Sequence, residues 1–350
     1  METLPFELLQ EICSHIYDLL DLKNFRLVSH TFASVGERYL VPDVSGGFFE
    51  EQSDKLLRIA TSPKFGRHVG HLRFNASIPV EYTNYDEWYE HRIKAYTLSL
   101  LVQKARKGTD WLAISPLEDS GLLRSRAEKE ALARYPKTAT STSVLWQQYL
   151  DFLRTREKID MEAKVMADLA NAFEHTPRMQ HLTVAGHDLS TPAASNVFQV
   201  VCPSESRSST LEHTGDTLAQ ILSTLQKARR QLRSLTTMDI HINVFRNEHL
   251  AKTFESLEVL RMTVHYNQYD DYNDLLLNQI RLGQYLRCAG AMSVLQLGGL
   301  IGSSSNSNAP KLDLELVLEP DNLGRLRWDR LSCVTFSDFV VSENILVKFL

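Results

Sequence analysis

One short pattern recurs along this chain and narrows what it can fold into: an apolar residue, two others, a second apolar residue, one other, then a third. It reads Val69-x-x-Leu72-x-Phe74, Met179-x-x-Leu182-x-Val184, Leu257-x-x-Leu260-x-Met262, Met292-x-x-Leu295-x-Leu297 and Leu331-x-x-Val334-x-Phe336. A weaker copy, Leu232-x-x-Leu235, precedes Met238 and Ile240. Apolar positions two apart share one face of a β-strand, and the residue between them points to the other face. Between the copies, apolar residues fall at helical spacing over residues 86–107, 143–175, 218–230 and 272–288. Strand, loop and helix in alternation describe an α/β chain.

Each copy resembles the strand of a leucine-rich repeat, whose inward aliphatic side chains stack along a solenoid. The period is irregular, growing from 25 residues between Leu232 and Leu257 to 39 between Met292 and Leu331. Val69 and Met179 are 110 residues apart, so an insertion or unrecognised repeats must fill that interval. The asparagine usual after such strands is missing. The expected fold is α/β, with a degenerate leucine-rich-repeat-like solenoid over residues 46–350. A general α/β domain whose strands share the pattern is the alternative.

A chain of 350 residues has room for two domains and a large core. Its 43 acidic residues outnumber 38 basic ones, which argues against nucleic acid as a partner. No apolar run reaches the roughly 20 residues of a membrane span. The first residues lack the basic region and apolar core of a secretory signal. These features together predict a cytoplasmic or nuclear protein. Cys13, Cys202, Cys288 and Cys333 form no close pair, as expected of idle thiols in a reducing compartment. The sequon Asn75-Ala76-Ser77 is then expected to go unused.

The opening, METLPFELLQEICSHIYDLLDLKNFRLVSHTF, has another organisation. Pro5 suits a first helical turn, and Glu7 follows where a carboxylate favours the helix dipole. Leu8, Leu9, Ile12, Ile16, Leu19 and Leu20 then draw one broad apolar stripe. Asp21 is placed to cap a second helix over residues 22–27. Ser29 is placed to cap a third, with Phe32, Val35 and Tyr39 on one face and Gly36 as its weak point. Three helices in about forty residues rarely bury a sufficient core without a staple or a partner.

Leu4-Pro5-x-Glu7-Leu8-Leu9, then Ile12, Asp21-Leu22, Arg26-Leu27-Val28-Ser29 and Phe32 resemble an F-box. Ser29 stands where that family often has cysteine, and Phe32 where it often has tryptophan. The resemblance covers residues 4 to about 40 and implies a three-helix module over residues 1–45 that docks onto a Skp-type adaptor. It implies Leu4, Pro5, Leu8, Ile12, Leu22, Phe25, Val28 and Phe32 as adaptor contacts or their support. Joined to repeats, it implies a substrate receptor of a Skp–cullin–F-box ubiquitin ligase, bringing a cullin through the adaptor and needing no cofactor. An F-box scaffold outside ubiquitin transfer, or an enzyme whose site is assembled from distant residues, are the rival readings.

No catalytic motif stands out. Gly298-Gly299-Leu300-Ile301-Gly302-Ser303 lacks the spacing and lysine of a phosphate loop and reads as a strand entering a polar loop. The twelve histidines show no H-E-x-x-H pair, and His187-Asp188 has no marked partners. Asp270, Asp271 and Asp274 read as a solvated loop leading into an aspartate-capped helix. Arg229, Arg230 and Arg233 are too few for a nucleic-acid surface. Residues 190–215 and 302–310 read as polar loops. Ser342 is placed to cap a last helix, which would cover the final repeat unless the chain stops early. Outward strand positions are expected at Arg73, Thr183, Arg233, Ser234, Glu258, Arg261, Ser293, Gln296, Ser332 and Thr335. Of these, Arg73, Arg233 and Arg261 are the expected contacts to an unknown protein target.

Overall fold

The computed structural model describes residues 4–16, 19–40, 43–77, 81–93, 142–158, 160–186, 207–247, 249–266, 271–301, 312–318, 328–337 and 339–340. Three helices open the chain, α1 (Phe6–Ser14), α2 (Leu19–Arg26) and α3 (His30–Leu40), followed by β1 (Asp43–Gly47), α4 (Glu50–Ala60) and β2 (His71–Asn75). Next come α5 (Thr142–Lys158), α6 (Met161–His175), β3 (His181–Ala185), α7 (Arg207–Lys227) and β4 (Ser234–His241). They are followed by α8 (His249–Phe254), β5 (Val259–Tyr266), α9 (Tyr272–Cys288) and β6 (Val294–Ile301). β7 (Leu312–Asp313), α10 (Leu314–Leu318), β8 (Cys333–Ser337) and β9 (Phe339–Val340) complete the described elements.

The fold is mixed α/β around a parallel sheet. Seven strands lie in chain order, β1-β2-β3-β4-β5-β6-β8, and β7 pairs with β9 apart from them. The register places Val44, Leu72, Leu182, Leu235, Leu260, Leu295 and Val334 opposite one another across the whole sheet. All but Val334 in that row are at most 2% exposed. Two residues on, Gly46, Phe74, Val184, Thr237, Met262, Leu297 and Phe336 form a second row. The residues leading into the strands, Val69, Met179, Leu232, Leu257 and Met292, are buried as well. The turns there repeat one backbone hydrogen bond: Gln180, Arg233, Glu258, Ser293 and Ser332 each donate to the equivalent residue one repeat earlier.

Two strands depart from the sequence pattern for local reasons. In β4 the third apolar place is held by Thr237, which is 1% exposed, and an irregularity before Ile240 restores the alignment by setting Ile240 beside Val264. β1 carries Gly46 in that place. A Cβ there would stand 3.1 Å from Leu56 on α4 and 3.2 Å from Phe74, so the glycine lets helix and strand pack closely.

The interval between Val69 and Met179 holds an insertion, because β2 pairs directly with β3. Residues 77–161 and 187–206 form a compact unit distinct from the one that holds the opening helices and the sheet. In that second unit, residues 85–93 are helical, and Trp88 and Tyr149 are fully buried with Tyr82 and Leu145. The Tyr82 backbone N–H donates to the Tyr149 hydroxyl at 2.8 Å, and Arg92 lies 4.5 Å over the Trp88 ring.

Several helix boundaries differ from expectation. The stretch 143–175 is two helices, α5 and α6, with Asp160 standing where helix starts favour aspartate. α7 begins at Arg207, inside the stretch expected as a loop, because buried Leu211, Leu218, Ile221 and Leu222 outweigh its serine-rich first turn. α2 starts at Leu19, so Asp21 lies in its first turn rather than capping it. α9 spans the expected residues, and Asp271 caps it by accepting from the Asn273 N–H at 2.8 Å. Gly298 and Gly299 lie within β6. His187-Asp188, Asp270, Cys202, most of the 190–215 loop, the 302–310 loop and the expected helix after Ser342 lie outside the described residues.

The leucine row makes an energetic prediction. Leu260→Ala, at 0% exposure in mid-sheet, should cost about 3 kcal/mol. Thr236→Val on the opposite face should stay within about 1 kcal/mol. Urea midpoints at constant slope measure both.

Candidate functional site

Two surfaces stand out, one on the opening helices and one on the sheet. The helices enclose Leu9, Cys13, Leu22, Phe32 and Val35, with Leu4, Ile16, Phe25, Tyr39 and Leu40 packed around them. The Phe25 and Phe32 rings are 4.7 Å apart, and the Ser29 hydroxyl accepts from the Phe32 N–H at 3.4 Å, at the start of α3. Gly36 is where α3 meets α2: a side chain there would stand 2.5 Å from Arg26 Cγ, and Arg26 Nε donates to the Ala33 carbonyl at 3.3 Å. The Tyr39 hydroxyl donates to the Gln10 carbonyl at 3.1 Å and ties α3 to α1. Glu37 on α3 reaches Arg67 at 3.4 Å and Lys64 at 3.9 Å, in the turns before β2.

This small core leaves much apolar surface outside it. Phe6, Leu8, Ile12, Leu20, Leu27 and Val28 are between 45% and 83% exposed. Single exposed apolar residues are ordinary, but six within twenty-three residues make these helices unusually apolar at their surface. Of the expected adaptor contacts, Pro5, Leu8, Ile12 and Val28 are exposed. Leu4 and Phe25 are partly buried, and Leu22 and Phe32 belong to the core. Phe6, Leu20 and Leu27 were not expected on this surface. The single broad stripe of the sequence divides in the structure: Leu9, Cys13 and Ile16 face inward, and Leu8 and Ile12 outward. Cys13, four residues beyond Leu9, is the signal that could have separated them.

On the sheet, the side opposite the leucine row carries Ser45, Arg73, Thr183, Thr236, Arg261, Gln296 and Thr335 in register, all exposed or half-buried. Arg73 and Arg261 therefore share one row, three strands apart. Arg233 lies one residue before β4, in the turn, where it faces Glu258 at 3.6 Å. Arg261 donates to the neutral Gln296 side chain at 3.1 Å. Arg73 meets Asp43 at 2.6 Å, and His71 Nδ1 lies 3.4 Å from the other oxygen of the same carboxylate. His71 Nε2 is 2.9 Å from the Thr183 hydroxyl, and the His181 ring centroid is 6.2 Å away. The hydrogen bond with His71 holds the Asp43 carboxyl below its ordinary value, with Arg73 adding to the effect and partial burial opposing it. Partial burial and then the neighbouring His71 push His181 below its ordinary value, while Asp43 and Glu258 pull the other way.

Carboxylate, imidazole and hydroxyl follow one another here in the order of a nucleophilic triad. Arg73 already neutralises the carboxylate, and β3 is paired on both sides, so its backbone amides are committed to the ladder and none is offered to an oxyanion. Among the described residues, no group of three or more histidines, cysteines or carboxylates is set to hold a metal ion. Among the same residues, no helix is long and apolar enough to cross a membrane. No protein-family model matches the chain, and no curated protein matches it.

The Asp43 cluster has a pH signature. Its folded pKa lies below the ordinary 3.8, so its contribution to stability is present above that value and is lost as pH falls through the folded one. Between about pH 4 and pH 2, Asp43→Asn should therefore show a shallower loss of stability than the natural chain. Urea melts across that range test it, and equal slopes would contradict it.

Proposed function

We propose that this chain is a substrate receptor of a Skp–cullin–F-box ubiquitin ligase. Residues 1–45 act as the F-box that binds a Skp-type adaptor, and the strand-bearing region, as a degenerate leucine-rich-like solenoid, presents a surface to the target protein. The observation that carries the reading is the set of six exposed apolar side chains on helices whose own core holds five buried residues among those described. Such helices gain stability when another protein covers that surface. The F-box-like order of Leu4-Pro5, Asp21-Leu22 and Arg26-Leu27-Val28-Ser29 supports the same partner. Parallel strands in chain order, with their leucines in one row, are what the solenoid reading needs.

A receptor of this kind makes and breaks no bonds. It holds a target near a ubiquitin-charged enzyme, and its contribution is effective concentration. The contacts between Glu37 on α3 and Lys64 and Arg67 help hold the adaptor-binding helices against the turns that precede β2.

The test is capture by a purified Skp-type adaptor. Leu8→Lys with Ile12→Lys should weaken capture about tenfold or more and leave the thermal midpoint unchanged, because both side chains lie outside the core. Leu9→Ala should instead lower the midpoint. Failure of the intact chain to bind, or undiminished binding by the double variant, would overturn the reading.

A further inference from the structure

Where strands β1 to β3 begin, Asp43, His71 and His181 stand side by side in one register row on the open side of the sheet. Arg73 and Thr183 lie two residues further along their strands, and Arg233 and Glu258 border the group from the turns before β4 and β5. Arg73 is offset by Asp43 and Arg233 by Glu258, so the group is nearly neutral while both imidazoles are uncharged. A proton taken up by His181 adds a full positive charge that Arg233 also feels. Arg261, whose side-chain partner is a neutral glutamine, extends the positive character along the sheet. Every side chain of the two ion pairs is between 40% and 56% exposed, so a ligand can reach them.

We propose that this part of the sheet is a proton-linked docking surface for an acidic protein segment, held by His71, His181, Arg73 and Arg233 and bound more tightly as pH falls below neutrality. The inference rests on the reading of the strand face as the target-binding surface. An extended segment places alternate side chains about 7 Å apart, which matches the two-residue step from His71 to Arg73 along β2. The charged and titratable groups that act on His181 are His71, whose ring centroid is 6.2 Å away, and Asp43, Arg233 and Glu258. In the free protein, burial and His71 disfavour its charged form, and an approaching carboxylate would favour it. Binding should therefore take up protons, and by linkage affinity rises as pH falls. An acidic protein segment fits better than nucleic acid because the arginines here are few and two of them sit beside carboxylates, whereas nucleic acid calls for a continuous basic stripe.

The probe is a fluorescein-labelled hexaglutamate peptide, whose side chains stay ionised from about pH 7.5 to pH 6. Its binding to the full chain is read by fluorescence anisotropy at constant ionic strength. Affinity should rise about fivefold between those pH values. The His71→Gln, His181→Gln double variant should bind with a flat profile while capturing adaptor normally. Calorimetry of the natural chain in two buffers of different ionisation enthalpy should show net proton uptake near pH 6.5, a readout that needs no variant. Absence of binding at both pH values, absence of uptake, an unchanged slope in the double variant, or tighter binding of an oligonucleotide of equal charge would each overturn the proposal. Adaptor capture without peptide binding would leave the F-box reading standing while this one fails, and peptide binding without adaptor capture would do the reverse.

Discussion

The structure depends on one constraint: parallel strands, laid down in chain order, must keep their leucines at one level. Each strand contributes an aliphatic at the same register position, and each preceding turn donates a hydrogen bond to the turn before it. A slip of one residue in any strand would turn its apolar set to the open side of the sheet. The two faces of the sheet follow from that row. Within the unit that holds the sheet, α4 and α7 pack against its strands, and the side opposite the row is left to polar and charged residues set in rows of their own. Because register brings equivalent positions together, residues over a hundred positions apart, such as His71 and His181, become direct neighbours.

The opening helices meet a different constraint. They are too short to bury all their apolar residues among themselves, and the structure resolves this by division. Leu9, Cys13, Leu22, Phe32 and Val35 turn inward, and Leu8, Ile12, Leu20, Leu27 and Val28 remain at the surface. Gly36 permits the close approach of α2 and α3 that makes this small core possible. In the proposed receptor the two halves divide the work, with apolar helices for a constant partner and a polar sheet face for a variable one.

Much of the fold was legible because its signals are short and local. Five strands carried three apolar residues at fixed spacing, and α9 carried both its period and its aspartate cap. β1 was hidden because Gly46 supplies close packing rather than an apolar side chain, and β4 was half hidden by Thr237 and the irregularity after it. The break between α5 and α6 and the early start of α7 were missed because burial of particular side chains outweighed local composition. The surfaces were less legible than the fold. Residue type alone cannot separate Leu8 from Leu9, since both are leucines in one stripe and only the packing against α3 decides between them. Nor could it bring Asp43 to His71 and Arg73, or move Arg233 off the strand row, since both depend on register and on where each strand begins.

The account is most directly tested by amide hydrogen exchange of the full chain with and without a Skp-type adaptor. Without adaptor, β2 to β6 should be the slowest-exchanging segments, since every one of them is paired on both sides. With adaptor, protection should rise across residues 6–28 and leave those strands unchanged. Protection appearing on the strands instead, or no change in residues 6–28, would contradict the assignment of the opening helices as the adaptor-binding surface.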